Sequence, residues 1–338
     1  MKKSKNKHLS CLILIYCLLG SGCNSQNLKN NIEKEKLTLV SKISLPNVAG
    51  RIDHIAYDTL DHLAFIAALG NNTVEIVDVN TKRVVRTIPG LREPQGVVYI
   101  APSKKLVIAN GDNGDCTFFD VATYRQLGVV HLKGDADNIR FDSASQLLYV
   151  GYGNGAIAIV DVNSMKLVGE IPLDGHPESF QLSKKQNRIY INVPDADEIE
   201  VGDLSSNKII SKWKNTSASS NFPMALDEKN DRLYIGCRSP AKLRMIDTET
   251  GKDISTVSCS GDADDVFFSS SDKLVFVSAG RGFIDVFRVN EKELVQINQI
   301  ETSRGARTSL LLSSKKQFLL AVPAHTGEAA ALWIYKVD

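Results

Sequence analysis

The chain has 338 residues, and its 40 basic and 39 acidic residues give a formal net charge of +1. A balance so near neutrality lacks the basic surface that a polyanion requires, so we expect no nucleic-acid partner. The sequence contains no C-x-x-C, C-x-x-C-H or H-E-x-x-H pattern, so zinc fingers, attached haem and zincins have no support.

The first 22 residues have the pattern of an export signal. Lys2, Lys3, Lys5 and Lys7 precede an apolar run from Leu9 to Leu19, and Gly20-Ser21-Gly22-Cys23 follows. This order predicts a signal peptide over residues 1–22, since the run is shorter than the roughly 20 residues of a spanning helix. The small residues before Cys23 resemble a bacterial lipobox, although Gly20 stands where an aliphatic residue is usual. We expect lipidation of Cys23, with plain secretion as the alternative.

Residues 23–36 are polar and predict a flexible tether between the lipid and a folded domain over 37–338. Loss of residues 1–22, which hold four Lys and no acid, leaves 36 basic and 39 acidic residues, a balance of −3. The predicted location is the bacterial envelope, on its periplasmic or outer side. Beyond Cys23 an odd number of cysteines remains, which argues against a disulfide framework and favours packed thiols: Cys116, Cys237 and Cys259.

A short pattern repeats along the predicted domain: an apolar residue, Asp, usually another apolar residue, and a turn. Its markers lie at positions 78, 120, 161, 203, 247, 288 and 336, at intervals of 42, 41, 42, 44, 41 and 48 residues. A period in the low forties built from short strands is typical of a β-propeller blade. Seven markers predict seven blades. The Asp itself is interpreted as a turn cap, because Arg288 and Lys336 replace it in the last two units.

The third unit shows how one blade is built. Four strands are predicted at Asp137–Asp142, Leu147–Tyr152, Ala156–Val162 and Lys166–Leu173, with turn residues between them. No helical period is convincing, so the predicted fold class is all-β with four antiparallel strands per blade. The last strand, Ala331–Val337, is only the third of its blade. The missing fourth has a candidate in Leu37–Leu45, which would close the ring and remove two exposed sheet edges.

Polar residues recur in the lead-in segments, the residues that lead into the first strand of each blade. The equivalents of Asp53 are polar in six of seven units. Because first strands surround the central channel, we expect these segments to converge on one face. The candidate ligand-binding residues are Arg51, Asp53, His54, Gln95, Asp137, Asn138, Glu178, Asp264, Asp265 and Arg307.

The chemistry of this set leaves several alternatives open. Clustered carboxylates raise one another's pKa or recruit a cation, so a divalent cation in the channel is one alternative, with Asp137, Glu178 and Asp264 as possible ligands. With Arg and His among them they could instead form a salt-bridged ring or hold a polar ligand. A further alternative is a polar, water-filled channel mouth that performs no chemistry. His325, in a longer insertion of the last unit, is placed over the same face.

The repeat resembles the bacterial YVTN-repeat propellers, the YncE-like group. The resemblance covers about residues 37–338 and rests on Val77–Thr81, Ala68–Glu75 and Leu106–Gly114, while Tyr149–Tyr152 and Tyr190–Val193 are the nearest forms of the literal motif. It implies an exported binding module. The fold is also similar to lactonase and quinoprotein-subunit propellers, and since a fold does not carry function, no catalytic role is transferred.

The leading hypothesis is a lipid-anchored envelope propeller that acts as a non-catalytic module. It would bind a small polar ligand or a protein partner at the channel face. The alternative is a metal-dependent hydrolase of lactonase type that uses channel carboxylates. A redox-complex subunit is a third hypothesis, and it would need a partner, since the sequence has no cofactor motif.

Overall fold

The computed structural model describes residues 36–338, which form a β-propeller of seven four-stranded antiparallel blades around one axis. The predicted fold class, blade number and strand number are confirmed. The predicted signal peptide (1–22), Cys23 and all but the last residue of the predicted tether (23–36) lie outside the described residues. Among the described residues, no helix combines the length and the apolar character needed to span a membrane.

The strands are numbered in chain order. The first, β1, covers Leu37–Leu45 and belongs to the last blade. Blade 1 contains β2 (Ile55–Asp58), β3 (Leu63–Ala68), β4 (Thr73–Asp78) and β5 (Arg83–Ile88). Blade 2 contains β6 (Pro94–Ile100), β7 (Lys105–Asn110), β8 (Asp115–Asp120) and β9 (Gln126–His131). Blade 3 contains β10 (Ala136–Asp142), β11 (Leu147–Tyr152), β12 (Ala156–Asp161) and β13 (Lys166–Pro172).

The remaining blades follow the same order. Blade 4 contains β14 (Phe180–Ser183), β15 (Arg188–Val193), β16 (Glu198–Asp203) and β17 (Lys208–Lys214). Blade 5 contains β18 (Ser219–Asp227), β19 (Arg232–Ser239), β20 (Ala241–Asp247) and β21 (Asp253–Ser258). Blade 6 contains β22 (Ala263–Ser269), β23 (Leu274–Ala279), β24 (Phe283–Val289) and β25 (Leu294–Glu301). Blade 7 contains β26 (Ser309–Leu312), β27 (Gln317–Val322), β28 (Ala330–Val337) and β1.

Packing between neighbouring blades explains why the middle strands are continuous apolar runs. In blade 1, β3 is buried along almost its whole length, whereas the outer strand β5 is mostly exposed. Both faces of a middle strand meet another blade, so apolar residues dominate on both faces and the polar residues that occur there need partners. The core clusters are correspondingly shared, and one of them joins Ile66 of blade 1 to Leu319 of blade 7.

The ring closes through the first strand of the domain, as predicted. Strand β1 pairs antiparallel with β28, from Leu37 opposite Val337 to Leu45 opposite Ala330. Leu37, Ile43 and Leu45 are at most 2% exposed. The two ends of the domain thus complete one sheet, and blade 7 depends on residues that are about 300 positions apart.

Turns carry the local polar chemistry. In blades 1 to 5 the Asp that ends the third strand accepts the backbone N–H of the Ser or Thr three residues later, at 2.7–3.0 Å: Asp78, Asp120, Asp161, Asp203 and Asp247. The interpretation as turn caps is confirmed. The sequence reading did not foresee four single-turn 3₁₀ helices, at Leu69–Asn71, Ala101–Ser103, Pro194–Ala196 and Ser313–Lys315.

Buried polar residues of the third strands hold several lead-in segments in place. In blade 4, Glu200 Oε1 accepts the N–H of Asp174 at 2.8 Å, and in blade 6 Asp285 Oδ2 accepts the N–H of Ser260 at 2.5 Å. Both carboxylates are 0% exposed. Charge-assisted bonds of this kind are shorter and stronger than neutral ones. The third strand therefore fixes the segment that brings mouth residues to the channel.

Candidate ligand-binding site at the channel mouth

The lead-in segments of several blades enclose a small cavity at one end of the channel, which we name the mouth cavity. Its volume is about 20 Å³. A cavity must offer roughly 10–15 Å³ to hold one water molecule, so this one accommodates a single water or ion. The residues around it are Arg51, Asp53, His54, Asp137, Asn138, Glu178, Ser179, Phe222 and Asp264.

His54 occupies the centre of the acidic group. Its Nε2 atom lies 3.7 Å from Asp53 Oδ1 and 3.8 Å from Asp137 Oδ1. On the other side of the ring, Nδ1 lies 3.9 Å from Asp265 Oδ1. These separations exceed hydrogen-bonding distance, so the imidazole faces three carboxylates without a direct bond to any of them. Asp53 directs its second oxygen to Arg51 Nη2 at 2.6 Å.

Two carboxyl groups around the cavity have raised pKa values. Asp137 is 8% exposed, and its Oδ1 atom has no hydrogen-bond partner among the described residues. Burial is the main reason that its pKa lies well above the ordinary value, and the charges of Glu178 and Asp53 add to the rise. Burial, followed by the charge of Asp264, raises the pKa of Glu178 to about 7.

Two arginines enclose the Asp264 carboxylate. Arg238 donates from Nη2 to Asp264 Oδ1, and Arg307 Nε lies 2.9 Å from Asp264 Oδ2. Arg307 also donates to Asp262 Oδ1 at 2.9 Å. The Arg238 guanidinium lies over the Phe222 ring at 3.6 Å from its centre, a cation–π contact. Asp264 is therefore held as a paired carboxylate.

Below the mouth, the channel widens into a cavity of about 360 Å³. Asp265 lines it and accepts the N–H of Ser309 at 2.6 Å, and burial is the main cause of its raised pKa. Arg140 also lines this cavity, donating to the carbonyl of Ile139 at 2.9 Å. Burial lowers the pKa of Arg140, against the charges of Asp265 and Asp137.

Beside the mouth, the same face has a larger groove of about 520 Å³, which we name the basic groove. It is lined by Gly50, Arg51, Asp262, Arg304, Gly305, Arg307, Pro323, Ala324 and His325. Arg304 and His325 are exposed, and the Arg51 side chain is 45% exposed. His325 Nε2 lies 2.9 Å from the Arg304 carbonyl oxygen, which holds the blade 7 insertion over this face as predicted.

The structure brings together most of the predicted site residues. Seven line the mouth cavity: Arg51, Asp53, His54, Asp137, Asn138, Glu178 and Asp264. Asp265 lies on the channel side of His54, and Arg307 joins Asp264 to the basic groove. Gln95 lines neither the mouth cavity nor the basic groove. Its Nε2 instead donates to Asp135 Oδ1 at 2.5 Å. Of the three suggested metal ligands, Asp264 is the one engaged by arginines.

The sequence reading missed Arg238 and Arg140, which supply positive charge to the mouth and the channel. Arg140 stands two residues beyond Asn138 on β10, so strand alternation places both on one face. Arg238 lies near the end of β19, the second strand of blade 5. This strand has eight residues, whereas the second strands of the other blades have six. An arginine in the two extra residues of β19 was the sequence feature that could have indicated its role.

A second acidic group lies in blade 4 and has a structural explanation. Asp174, Glu198 and Glu200 approach one another, but Lys212 contacts Asp174, and Lys214 Nζ lies 2.9 Å from Glu198 Oε2. Glu200 also anchors the lead-in segment of its blade. The two lysines therefore offset part of the charge of the three carboxylates, although Glu198 Oε1 and Glu200 Oε2 have no hydrogen-bond partner among the described residues.

Comparisons with known proteins agree with the fold. No protein-family profile matches the chain. Over 132 residues the chain is 30% identical to a guanine nucleotide-binding protein subunit beta of Arabidopsis thaliana. That match covers 37% of this chain and 33% of the plant protein, so it spans about a third of the relative's length. A chain of a crystallised mitotic checkpoint complex matches with a TM-score of 0.75 and 14% identity, over 97% of this chain and 99% of that one.

The chain thus has the fold of a seven-bladed β-propeller, similar to WD40-like propellers. Identity of 14% over the full length describes the fold alone. The resemblance to the YVTN-repeat group remains a prediction.

Proposed function

We propose that this propeller is a non-catalytic binding module that recognises an anionic group of a ligand or a protein partner in its basic groove. The observation that carries the proposal is the composition of that groove: Arg51, Arg304, Arg307 and His325 around 520 Å³, with Asp262 as the one acid in its lining. Arginine presents a planar fork of donors that matches carboxylate and phosphate oxygens. The neighbouring proteins named above, a G-protein subunit and a checkpoint complex, are consistent with an interaction role.

The alternative, a lactonase-type hydrolase, requires the substrate to reach the buried carboxylates. Asp137 and Glu178 line a cavity of about 20 Å³. A lactone ring has several times the volume of one water molecule, so it does not fit beside them in this arrangement. The geometry therefore favours binding in the groove over hydrolysis at the mouth.

Thermal-shift and native mass spectrometry measurements test this proposal. The panel would contain organic carboxylates, phosphate esters, neutral sugars and lactones. Anionic members should stabilise the full chain, and Arg304→Ala should remove most of that stabilisation. Arg92→Ala is the matched control, because Arg92 is exposed and pairs with Asp112 away from the groove. Turnover of a lactone that disappears in Glu178→Ala would overturn the proposal in favour of the hydrolase.

We also propose that the module is exported and held on a bacterial envelope membrane through lipidated Cys23, with residues 24–36 as the tether. The support is the sequence pattern of residues 1–23. Metabolic labelling with an alkyne fatty acid should mark the wild-type protein and leave Cys23→Ser unlabelled. Equal labelling of both proteins, or recovery of the wild-type protein only in the cytosol, would contradict this part.

A further inference from the structure

The mouth cavity has features of a cation site that are independent of the basic groove. Three groups with ligand chemistry, Asp53, His54 and Asp137, offer atoms that all lie within 4.8 Å of one another. The cavity has the volume of one water or one ion. Clusters of acidic residues are common on protein surfaces without a metal ion, so the hydrogen bonds that these three groups make, or lack, decide whether they form a site.

Asp137 supplies the independent observation. Its Oδ1 atom is buried and lines the mouth cavity without a hydrogen-bond partner among residues 36–338. A buried charged oxygen without a partner is costly, and native structures nearly always provide one. His54 Nε2 lies 3.8 Å from this oxygen, which is too far for a hydrogen bond.

The distances suit a bridging ion. Ligand bonds of about 2.0–2.1 Å at a tetrahedral zinc ion separate two ligand atoms by roughly 3.4 Å. His54 Nε2 lies 3.7 Å from Asp53 Oδ1 and 3.8 Å from Asp137 Oδ1, so each of these two pairs is within a few tenths of an ångström of that separation, and all three ligand atoms lie within 4.8 Å of one another.

The surrounding contacts leave the ligand atoms available. Asp53 binds Arg51 through Oδ2, so Oδ1 remains directed to the cavity. Asp265 Oδ1 lies 3.9 Å from His54 Nδ1, and Asp265 Oδ2 is fixed by the N–H of Ser309. A ligating histidine usually donates its other ring N–H to a carboxylate, which fixes the tautomer and orients the ring.

We propose that the mouth cavity binds one divalent cation of the zinc or manganese class through Asp53 Oδ1, His54 Nε2 and Asp137 Oδ1, with Asp265 orienting the imidazole. Mixed imidazole and carboxylate ligands suit these ions better than calcium, which prefers oxygen alone. The ion would join blades 1 and 3 at the mouth. Its role is to bind and stabilise, and no reaction is assigned to it.

Metal titration of the full chain tests the site. EDTA-treated, dialysed protein would be titrated with ZnCl₂ and with MnCl₂ by calorimetry, and CoCl₂ would be added for its visible absorption. Wild-type protein should bind one equivalent and melt several degrees higher with metal. His54→Gln and Asp137→Asn should each weaken the affinity at least about tenfold, and Asp265→Asn should weaken it by about tenfold while retaining one site.

Asp112→Asn is the matched control, because it removes an exposed acid on the same face and should leave the affinity unchanged. Asp137→Asn keeps the side-chain shape, so its metal-free melting temperature reports whether the variant folds, and Asp53→Asn provides a second test if it does not. The proposal is overturned if wild-type protein binds neither metal stoichiometrically. It is equally overturned if both ligand variants bind as tightly as wild type, or if Glu200→Gln removes the site instead.

Discussion

The two ends of the blades use the same residue type, aspartate, under opposite physical conditions. At the turns that follow the third strands, the backbone N–H of Thr81 donates to Asp78 and is the main reason that the pKa of Asp78 is lowered. The hydroxyl of Ser164, followed by its backbone N–H, lowers the pKa of Asp161 in the same way. At the channel mouth, Asp137 is buried and the Asp265 side chain is only 13% exposed, and this desolvation raises their pKa values. The turn aspartates are stable as ions, whereas the mouth aspartates gain from a proton or a cation.

The turn aspartates repeat the same local contacts in successive blades, whereas the mouth aspartates come together from different blades. Each turn Asp is satisfied by residues two or three positions away, so its state is decided locally and recurs from blade to blade. Each mouth Asp meets residues of other blades, so its state depends on the closed ring.

Removing a counter-charge at the mouth should have the largest effect. Arg238→Leu leaves one oxygen of Asp264 without its arginine, and breaking an ion pair whose side chains are only 22% and 12% exposed leaves a largely desolvated charge uncompensated. We expect the free energy of unfolding to fall by about 2–4 kcal/mol, measured by urea denaturation. Arg92→Leu breaks an exposed pair with Asp112 and should cost at most about 1 kcal/mol. Equal losses of unfolding free energy in Arg238→Leu and Arg92→Leu would contradict this difference between the mouth and the exposed surface.

Neutralising a mouth aspartate should stabilise the metal-free protein. Asp137→Asn removes a buried carboxylate without a partner on Oδ1, and a buried unsatisfied polar group costs about 1–3 kcal/mol. We expect the unfolding free energy at pH 7 in EDTA to rise by about 1–2 kcal/mol. The matched substitution Asp161→Asn replaces the charged acceptor of a turn bond by a neutral amide oxygen, which accepts more weakly, and should act in the opposite direction. A decrease for Asp137→Asn would contradict the account of the mouth.

The pH dependence of stability should carry a contribution from Glu178. Its pKa is raised from 4.5 to about 7, so the folded state holds a proton that the unfolded state has lost between these values. Stability should therefore fall as pH rises from 4.5 to 7. In EDTA, the melting temperature of Glu178→Gln should decline less over this range than that of wild type. Parallel profiles for the two proteins would show that Glu178 titrates normally.

The smallest effect is expected at a single turn cap. Asp161→Ala removes the acceptor for Ser164 N–H and Oγ–H, at 2.7 and 2.6 Å, while the neighbouring ladder remains. Because the pKa of Asp161 is lowered in the folded state, its contribution is present above the ordinary value and is lost as pH falls. The melting temperature of the variant should be slightly below wild type at pH 7 and equal to it near pH 2.

Much of the fold was predictable because its determinants are local or periodic. The spacing of the third-strand Asp predicted seven blades, and the predicted strands of blade 3 agree with the structure to within one residue at each end. Ring closure was predictable because β1 has the pattern of an outer strand that blade 7 lacked. The 3₁₀ turns were not, because each consists of three residues without a periodic signal.

The residues that make up the candidate site were predictable from the sequence, but the contacts between them were not. Equivalent positions in a repeat must surround one axis, so the lead-in segments indicated which residues converge. The alignment of the repeats could not show that Gln95 pairs with Asp135 while Asn138 lines the mouth cavity. It also omitted Arg238, since only the length of β19 brings that guanidinium to Asp264.

The number of blades, the order of strands and the closing strand follow from the amino-acid sequence alone, because periodic burial and turn chemistry act over a few residues. Which carboxylates are paired depends on the folded arrangement of the blades. Asp53, Asp137 and Asp265 belong to three blades, and their distances from His54 depend on how the blades pack against one another. Electrostatic interactions change steeply over such distances and with burial. The same residue type is therefore a turn cap at one end of the blades and a candidate cation ligand at the other.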